Sequence, residues 1–277
     1  MTSSADETQL SRFFETWKAR KQSFDENYQL FSPHLSPRFN FLTLIAPGEV
    51  KLSELIAFLL DPKGDHAQGD LFLKEFLSLL LKEGIAIPSH QLDTGSAKVM
   101  CESRTDKIEN DLRRIDVKIS FGQNFGIAIE NKLKEAGDQE KQLEDYVEQL
   151  QKCHRQWCLI YLPKNKHVGG IPSEVSAKPE NIKKWKETGH YAVLDYSDIY
   201  KWLKAAESGC LSDRVRYFLK DFMVYCEQEL RGGSEIMESS LIEKYVLDNE
   251  VNFSLAIGIS EQLADIKNKL IETLLSG

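Results

Sequence analysis

Two carboxylates and a lysine stand at spacings that suit metal-assisted hydrolysis of a phosphodiester bond. Asp116 lies in one run of alternating apolar residues, Glu130 and Lys132 lie in the next, and a short polar turn separates the runs. This pattern predicts a β-hairpin, in which residues two apart share a face. Carboxylate oxygens suit Mg²⁺, which activates water, and a nearby lysine can stabilise developing negative charge.

The hairpin also predicts how the two carboxylates are paired. A turn centred on Gln123 places Asp116 directly opposite Glu130. Opposed side chains have Cβ atoms roughly 4.5–5.5 Å apart, so two carboxylates there require a cation between them or a proton on one of them. The alternative is an exposed strand face that carries a salt bridge to Lys132. The same alternation assigns one face of the first strand to three apolar residues, Ile115, Val117 and Ile119.

Periodicity and turn signals predict the elements that position these residues. The predicted helices are 7–31, 53–60, 71–83, 138–151 and 198–205, followed by helix only from Asp213 onward. Besides the hairpin, the predicted strands are 97–101, 157–162 and 191–194, and the segment 164–186 is read as a loop. This order predicts an α/β layer fold on a mixed sheet.

The predicted elements divide the chain into three regions. Residues 1–37 form an N-terminal helical segment, 38–206 the core and 207–277 a C-terminal helical region, with a hinge at 231–234. The last helices are expected to pack on the core, and a homodimer formed through them is the alternative. Their apolar stripe comprises Ile259, Leu263, Ile266, Leu270 and Leu274.

Composition narrows the class of protein. The chain has 277 residues and 42% hydrophobic residues, enough to bury a core, and no apolar run approaches a membrane span. The first residues lack the pattern of a signal peptide. Five cysteines without a CxxC pair predict reduced thiols in the cytoplasm and argue against a zinc site. Phosphate-binding GxxxxGK[ST] and nucleophile GxSxG motifs do not occur in the sequence.

Charge is distributed unevenly along the chain. The net charge is −8, which argues against a surface covered in phosphate-binding residues. The segment 164–186 nevertheless carries six lysines and two glutamates. It is either a solvated loop or a source of positive charge for nucleic acid.

Asp116 followed by Glu130-x-Lys132 resembles the signature of the PD-(D/E)XK nuclease superfamily, which includes restriction enzymes and repair and recombination nucleases. Ile115 stands where the signature has proline. The αβββαβ core of that superfamily is compatible with the predicted order over 53–162, given one extra helix. The resemblance implies a restriction-endonuclease-like fold and a nuclease that uses Mg²⁺, or alternatively Mn²⁺. The expected substrate is DNA, with RNA as the alternative.

The resemblance assigns further residues to the site. Glu54 corresponds to a metal-binding glutamate on the first core helix, although glutamate also suits a helix N-terminus. Gln142 and Tyr146 resemble a QxxxY motif near the nucleic-acid backbone, although the spacing of Tyr146 also fits the apolar core stripe. The main-chain carbonyl of Asn131 joins Asp116, Glu130 and Glu54 as a metal ligand.

Several motifs resemble an uncharacterised bacterial branch of the same superfamily, over 40–203. They are Asn40-Phe41, Ser53-Glu54-Leu55, Leu59-Leu60-Asp61-Pro62, His66 and Gly69-Asp70-Leu71-Phe72-Leu73. Ala67 stands where glycine is expected. His66 either contacts phosphate or caps the next helix or faces solvent. Phage defence, restriction and repair all fit this resemblance. The alternative function is a catalytically silent module that binds nucleic acid or a partner protein.

Overall fold

The computed structural model describes most of the chain from residue 4 to residue 230, with three internal gaps after residue 39. The described residues are 4–36, 39–88, 92–104, 114–133, 139–230, 246, 252–253 and 256–257. Two units are distinguished, one of Asn40–Gly233 and one of Met1–Phe39 with Ser234–Gly277. The first unit contains the residues singled out by the sequence as a site.

A five-stranded mixed sheet in the order β1-β2-β3-β4-β5 forms the centre of this unit. The first three strands are antiparallel neighbours, and β3, β4 and β5 are parallel to one another. The strands are β1 (Lys98–Arg104), β2 (Arg114–Phe121), β3 (Phe125–Lys132), β4 (Gln156–Pro163) and β5 (Tyr191–Val193). The mixed α/β fold predicted from the sequence is therefore confirmed.

Helices precede, connect and follow the strands. They are α1 (Ser4–Leu35), α2 (Phe41–Ile45), α3 (Glu49–Leu60), α4 (Leu71–Lys82), α5 (Gln142–Cys153), α6 (Lys166–Gly169), α7 (Pro179–Glu187), α8 (Tyr196–Glu207) and α9 (Asp213–Tyr225), which continues as a π-helical turn, Cys226–Leu230. Helix α5 is the crossover between the parallel strands β3 and β4, as parallel pairing requires.

The two faces of the sheet are covered by different helices. On one face Ile127 and Ile129 of β3 belong to a large apolar cluster that includes residues of α3, α4, α8 and α9. On the other face Ala128 belongs to a smaller cluster with residues of α5 and α7. Seven of the eight residues of β3 are buried, because helices cover both faces of this central strand. Two of the seven, Glu130 and Asn131, are polar.

Several predicted elements differ from the structure, and helix α2 (Phe41–Ile45) was not predicted. Helix α1 continues through Pro33 instead of ending before it. Helix α3 begins at Glu49, one turn before the predicted start, with Gly48 as its N-cap. The segment 164–186 is not a simple loop, since it contains all of α6 and most of α7. Helix α7 is short and starts at Pro179, whose fixed φ suits a first helical turn.

The predicted hairpin register is confirmed from Phe121↔Phe125 through Val117↔Ile129. The paired residues end there. Asp116 and Glu130 are the next residues of their strands and do not form a further pair of the ladder. On the other side of β2, Cys101↔Val117 and Ser103↔Ile115 pair, whereas Glu102 and Asp116 are not recorded as a pair. Glu102 has a left-handed φ of 53°, which indicates a local distortion of the ladder at Asp116.

Because of this distortion, the face predicted for the side chain of Ile115 is wrong. The alternation assigned Ile115 to the same face as Val117, but Ile115 packs in the cluster on the α5 face, with Ala128. Val117 packs on the α3 face. The regular period of two is broken at Asp116, which lies between them, because an irregular ladder rotates the side chains that follow it.

Glycine is required at one point near the hairpin turn. A Cβ built on Gly126 would lie 2.2 Å from Cδ2 of His154, the residue that ends α5. The Nδ1 of His154 lies 2.9 Å from the carbonyl oxygen of Gly122. The imidazole therefore lies directly against the backbone of β3 at the end opposite Glu130.

Helix α2 is tied to α9 by one side chain. The Oδ1 of Asn40 accepts the N–H groups of Leu42 and Thr43, at 2.9 and 3.2 Å, and thus caps α2. Its Nδ2 donates to the carbonyl of Asp221 on α9, at 2.7 Å. The part of the predicted C-terminal region up to Leu230 thus contacts the core.

Two sequence predictions lie outside the described residues. These are the hinge at 231–234 and the apolar stripe near the C-terminus. The three-region boundaries also stay predictions. All five cysteines are described and none forms a disulfide. In the described ranges no helix has the length and hydropathy needed to cross a membrane.

Candidate active site

The candidate site lies at one end of the β2–β3 hairpin, just beyond the pair Val117↔Ile129. The Oδ2 of Asp116 accepts the main-chain N–H of Asn131 at 2.8 Å. Asp116 thus contacts the residue between Glu130 and Lys132 of the predicted motif. This bond holds the Asp116 carboxylate beside the strand end.

Glu130 is almost fully buried, with 2% of its surface exposed. Its Oε1 accepts Nε2 of Gln142 at 2.8 Å and lies 3.5 Å from Nζ of Lys132. Its Oε2 is buried without a hydrogen-bond partner. A buried carboxylate oxygen without a donor is costly, so this oxygen is suited to accept a cation as its partner.

Helix α5 supplies the polar groups on one side of Glu130. The Nε2 of Gln142 contacts both Glu130 and, at 3.0 Å, the hydroxyl of Tyr146. That hydroxyl donates to the carbonyl of Arg114 at the start of β2. Tyr146 is 1% exposed and belongs to the apolar cluster, as the core interpretation of its spacing predicts. Its role near the nucleic-acid backbone stays a prediction.

Helix α3 holds the strand end from the other side. The Nδ2 of Asn131 donates to the carbonyl of Glu49 at 3.1 Å and to Oγ of Ser53 at 3.0 Å. The carboxylate of Glu49 accepts the N–H of Leu133 at 2.9 Å. Glu49 therefore brings a third carboxylate to the strand end that carries Glu130 and Lys132.

Burial and repulsion between like charges together determine the pKa values of Asp116 and Glu130. Burial raises the pKa of Asp116 to about 6, opposed by the bond from Asn131, and the carboxylates of Glu49 and Glu102 also raise it. Burial and then the charge of Asp116 raise the pKa of Glu130 to about 8, which Lys132 opposes. Both carboxyls thus hold protons more strongly than in water, as expected for a carboxylate pair without a cation.

These residues fit a divalent metal ion. The observations are the unpartnered Oε2 of Glu130 and the two carboxyls whose pKa values are raised. Within the described ranges, no three His, Cys, Asp or Glu side chains form a ready metal-binding group. Mg²⁺ does not need one, since it uses one or two carboxylates with water and substrate phosphate as its other ligands.

The comparison with protein families agrees with the geometry. Residues 39–227 match the model of the PD-(D/E)XK nuclease superfamily, and this range contains the whole sheet. The chain belongs to the PD-(D/E)XK nuclease superfamily. The resemblance and the restriction-endonuclease-like fold predicted from the sequence are thus confirmed. No curated protein and no solved structure matched the sequence.

The superfamily signature is present as a connected set of side chains. Hydrogen bonds and one ion pair link Asp116, through the main chain of Asn131, to Glu130, Lys132 and the helix that carries Gln142 and Tyr146. The structure thus brings together six of the seven residues assigned to the site. Their individual roles stay predictions.

The carboxylate of Glu54, the seventh residue, is paired on its own helix α3 and not with these six residues. Its partner is Lys51, and Glu54 lines a cavity of about 240 Å³ between α3 and β1. Asp61 and Cys101 line the same cavity, and burial followed by the charges of Glu102 and Glu54 raises the pKa of Cys101 to about 11. The metal-binding role predicted for Glu54 remains untested.

Sequence reasoning missed Glu49, because the predicted helix began at Ser53. A signal was present, since Pro47-Gly48 marks a break directly before Glu49 and an acidic residue favours a first helical turn. It also missed Tyr196, whose hydroxyl donates to Oδ1 of Asn131 at 2.9 Å. No local pattern identifies a contact across 65 residues.

His66 has a structural position in this superfamily member. It is 3% exposed, its Nε2 lies 2.9 Å from the carbonyl of Asp61, and its Nδ1 accepts the N–H of Gln68 at 3.0 Å. Its ring makes edge contacts with Phe58 and Phe72. Burial lowers its pKa. His66 therefore joins the turn after α3 to α4 and does not face solvent.

The lysine-rich segment adjoins the site at two points. At its start, the N–H of Lys164 donates to the carbonyl of Lys132 at 2.9 Å. Farther along, Oε1 of Glu144 on α5 accepts the N–H of Lys178 at 3.1 Å and Nδ2 of Asn181 at 2.8 Å. The segment thus borders the strand and the helix that carry the signature residues.

Proposed function

We propose that the protein is a Mg²⁺-dependent nuclease that hydrolyses phosphodiester bonds, with DNA as its substrate and RNA as the alternative. The observation that carries the proposal is the buried Oε2 of Glu130, which has no hydrogen-bond partner, while Oε1 of the same carboxylate lies 3.5 Å from Nζ of Lys132. The carboxyls of Asp116 and Glu130, both with raised pKa values, can bind a divalent cation between them. Membership in a superfamily of nucleases supplies the substrate class.

The metal would be held by Asp116, Glu130 and the main-chain carbonyl of Asn131. When bound, the ion polarises the phosphate and lowers the pKa of its water. Glu54 was the fourth predicted ligand, but Glu49 is the α3 carboxylate that bonds to the strand end, so we propose Glu49 for this role as well.

The remaining residues act on orientation and charge. Lys132 lies on the same side as the Glu130 carboxylate and is 12% exposed, so its ammonium group can orient the attacking water or stabilise charge on the phosphate. Gln142 fixes Oε1 of Glu130, and Tyr146 fixes Gln142 against β2. This arrangement keeps Oε2 available for a ligand.

The basic segment supplies attraction for the nucleic-acid backbone. Lys164 and Lys178 are exposed and border the site through their main-chain contacts. Phosphate binding by lysine is electrostatic and depends on salt. An acidic protein can bind DNA in this way when its positive charge is concentrated beside the site.

The test is a cleavage assay with matched variants. Purified protein is incubated with Mg²⁺ or Mn²⁺ and with linear DNA, circular DNA and RNA. We expect cleavage by the wild type and by Lys98→Ala, a control because Lys98 is exposed at the far end of the sheet, opposite Ser120. Asp116→Ala and Lys132→Ala should both abolish metal-dependent cleavage.

Two outcomes would contradict the proposal. Equal cleavage by the wild type and both site variants would show that the activity arises elsewhere. Absence of cleavage together with no calorimetric Mg²⁺ or Mn²⁺ binding would favour the silent binding module, which has no reason to bind a cation at Asp116 and Glu130. Cleavage of RNA alone would reject DNA as the substrate.

A further inference from the structure

A chain of buried hydrogen bonds runs from α8 through β3 to α3. Tyr196, the first residue of α8, is fully buried and donates its hydroxyl proton to Oδ1 of Asn131 at 2.9 Å. Nδ2 of Asn131 continues the chain to Oγ of Ser53 and to the carbonyl of Glu49. Asn131 itself has no exposed surface.

The amide of Asn131 has one orientation that satisfies these partners. A main-chain carbonyl can only accept, so the group that faces Glu49 must be the NH₂. The opposite side of the amide must then be the oxygen, which matches the hydroxyl of Tyr196. The hydroxyl of Ser53 donates to the carbonyl of Glu49 at 2.9 Å and accepts from Asn131. Each side-chain polar group in this series of hydrogen bonds therefore has a partner.

Tyr196 is held at a fixed position by the start of α8. Asp195 caps this helix through a capping box with Asp198. The carboxylate of Asp195 also accepts the N–H of Lys166 at 3.1 Å, and the carboxylate of Asp198 pairs with Nζ of Lys166 at 2.9 Å. The hydroxyl of Tyr196 therefore approaches Asn131 from a rigid support.

The groups that Asn131 joins flank the proposed metal site. Its main-chain N–H bonds the carboxylate of Asp116, and its side chain holds the first turn of α3. That turn carries the Glu49 carboxylate, which bonds the N–H of Leu133. A shift of the Asn131 amide would move both carboxylates relative to Glu130.

We propose that Tyr196 is a positioning residue, which fixes the carboxylates of Asp116 and Glu49 through the side chain of Asn131. This inference rests on the proposed function as far as metal binding is concerned. The positions of the two carboxylates can also be tested without any metal. Residues that orient metal ligands from outside the coordination sphere typically change metal affinity 10–100-fold when they are replaced.

The test uses Tyr196→Phe, which removes the hydroxyl and keeps the ring. In the metal-free protein, amide hydrogen exchange at Asn131 and Leu133 should become faster by up to about tenfold, because both N–H groups bond carboxylates that the chain positions. Calorimetry should show Mn²⁺ binding weakened by about 10-fold. Tyr200→Phe, one turn later on α8, is the matched control and should change neither quantity.

A second variant guards against misfolding of the first. Ser53→Ala removes one partner of Asn131 at a different element and should accelerate exchange at the same two amides. Unchanged exchange at Asn131 and Leu133 in both variants, with wild-type Mn²⁺ affinity, would overturn the proposal. Faster exchange in both variants of a protein whose wild type binds no Mn²⁺ would support the positioning role and reject the metal-dependent function.

Discussion

Glu130 occupies a place where its negative charge is poorly compensated. One carboxylate oxygen has Gln142 and Lys132 as neighbours, and the other is buried without a partner. The metal-free protein must therefore fold with a desolvated carboxyl that binds a proton more strongly than it does in water. Residues kept in such a state at a cost to stability are typical of functional sites.

Replacement of Glu130 by glutamine should stabilise the metal-free protein and eliminate metal binding. Glutamine keeps the shape and is neutral at every pH, so the cost of taking up a proton on folding, or of burying the charge, disappears. We expect the free energy of unfolding at pH 7 to rise by about 1–3 kcal/mol, as measured by urea denaturation. Calorimetry should detect no Mg²⁺ binding.

Gln149→Glu offers the converse comparison, because Gln149 is buried on the same face of α5 as Tyr146 but away from the strand end. A new carboxylate there should only destabilise. If Glu130→Gln were less stable than the wild type without metal, the unpartnered oxygen would not have the cost assigned to it.

The stability of the metal-free protein should fall as the pH rises. Burial is the main reason that Asp116 and Glu130 have folded-state pKa values of about 6 and about 8, above their ordinary values. The contribution is complete below about pH 4 and is lost as the pH rises through these folded-state values. Urea denaturation between about pH 5 and about pH 8 should show the decline.

Saturating Mg²⁺ should reverse that trend, because the ion competes with protons for the same carboxylates and binds more tightly at the higher pH. Glu130→Gln should show a flatter dependence on pH than the wild type. A stability that rises over this interval in the metal-free wild type would contradict the raised pKa values.

Much of the site was predictable from the spacing of residues that lie close together in the sequence. The hairpin signal predicted Asp116, Glu130 and Lys132. The resemblance to a QxxxY motif added Gln142 and Tyr146, whose spacing places them on one face of a helix. The contact of Tyr196 with Asn131 could not be predicted, because it depends on how α8 packs after β5. Glu49 was missed for a smaller reason, an error of one turn in the start of α3.

At the scale of elements, the attachment of α2 to α9 depends on Asn40. Asn40→Ala should reduce the free energy of unfolding by about 2 kcal/mol, since both the cap of α2 and the bond to Asp221 are lost. Asn40→Ser keeps a capping oxygen and removes the donor to Asp221 without adding a charge, so its loss should be smaller. Thermal or urea denaturation measures both, and equal losses in the two variants would show that the cap contributes nothing.

The order of strands and the main helices could be predicted because each has a strong local pattern. The alternation of β2 and β3 and the stripe of α5 are examples. Helices α6 and α7 were missed, because a lysine-rich sequence with one buried residue, Trp185, gives little periodicity. The prediction of the face on which Ile115 lies was wrong, because the distortion at Asp116 has no signal in the sequence.

At the scale of the whole molecule, nucleic-acid binding must overcome a net charge of −8. Replacement of Lys164 and Lys178 by glutamine should weaken DNA binding and reduce the salt dependence by a slope of about 0.9 for each phosphate that is no longer neutralised. Fluorescence anisotropy of a labelled duplex in metal-free buffer, over a series of salt concentrations, measures both quantities. Binding requires no cleavage, so the proposed chemistry does not affect the result.

Lys98→Gln serves as the control, since it changes the net charge at the far end of the sheet. Its affinity should fall only slightly and its slope should match the wild type. The same reduction in slope for Lys98→Gln as for the double variant would indicate that overall charge, and not the segment beside the site, governs binding.

The contact between Gly126 and the imidazole of His154 has a consequence for the evolution of this chain. Any side chain at position 126 would overlap the ring, with 2.2 Å between the new Cβ and Cδ2. Among descendants of this sequence, a larger residue at 126 can be accepted only after His154 has become small. The two positions should therefore covary, and a library randomised at both should recover alanine at 126 only together with a small residue at 154.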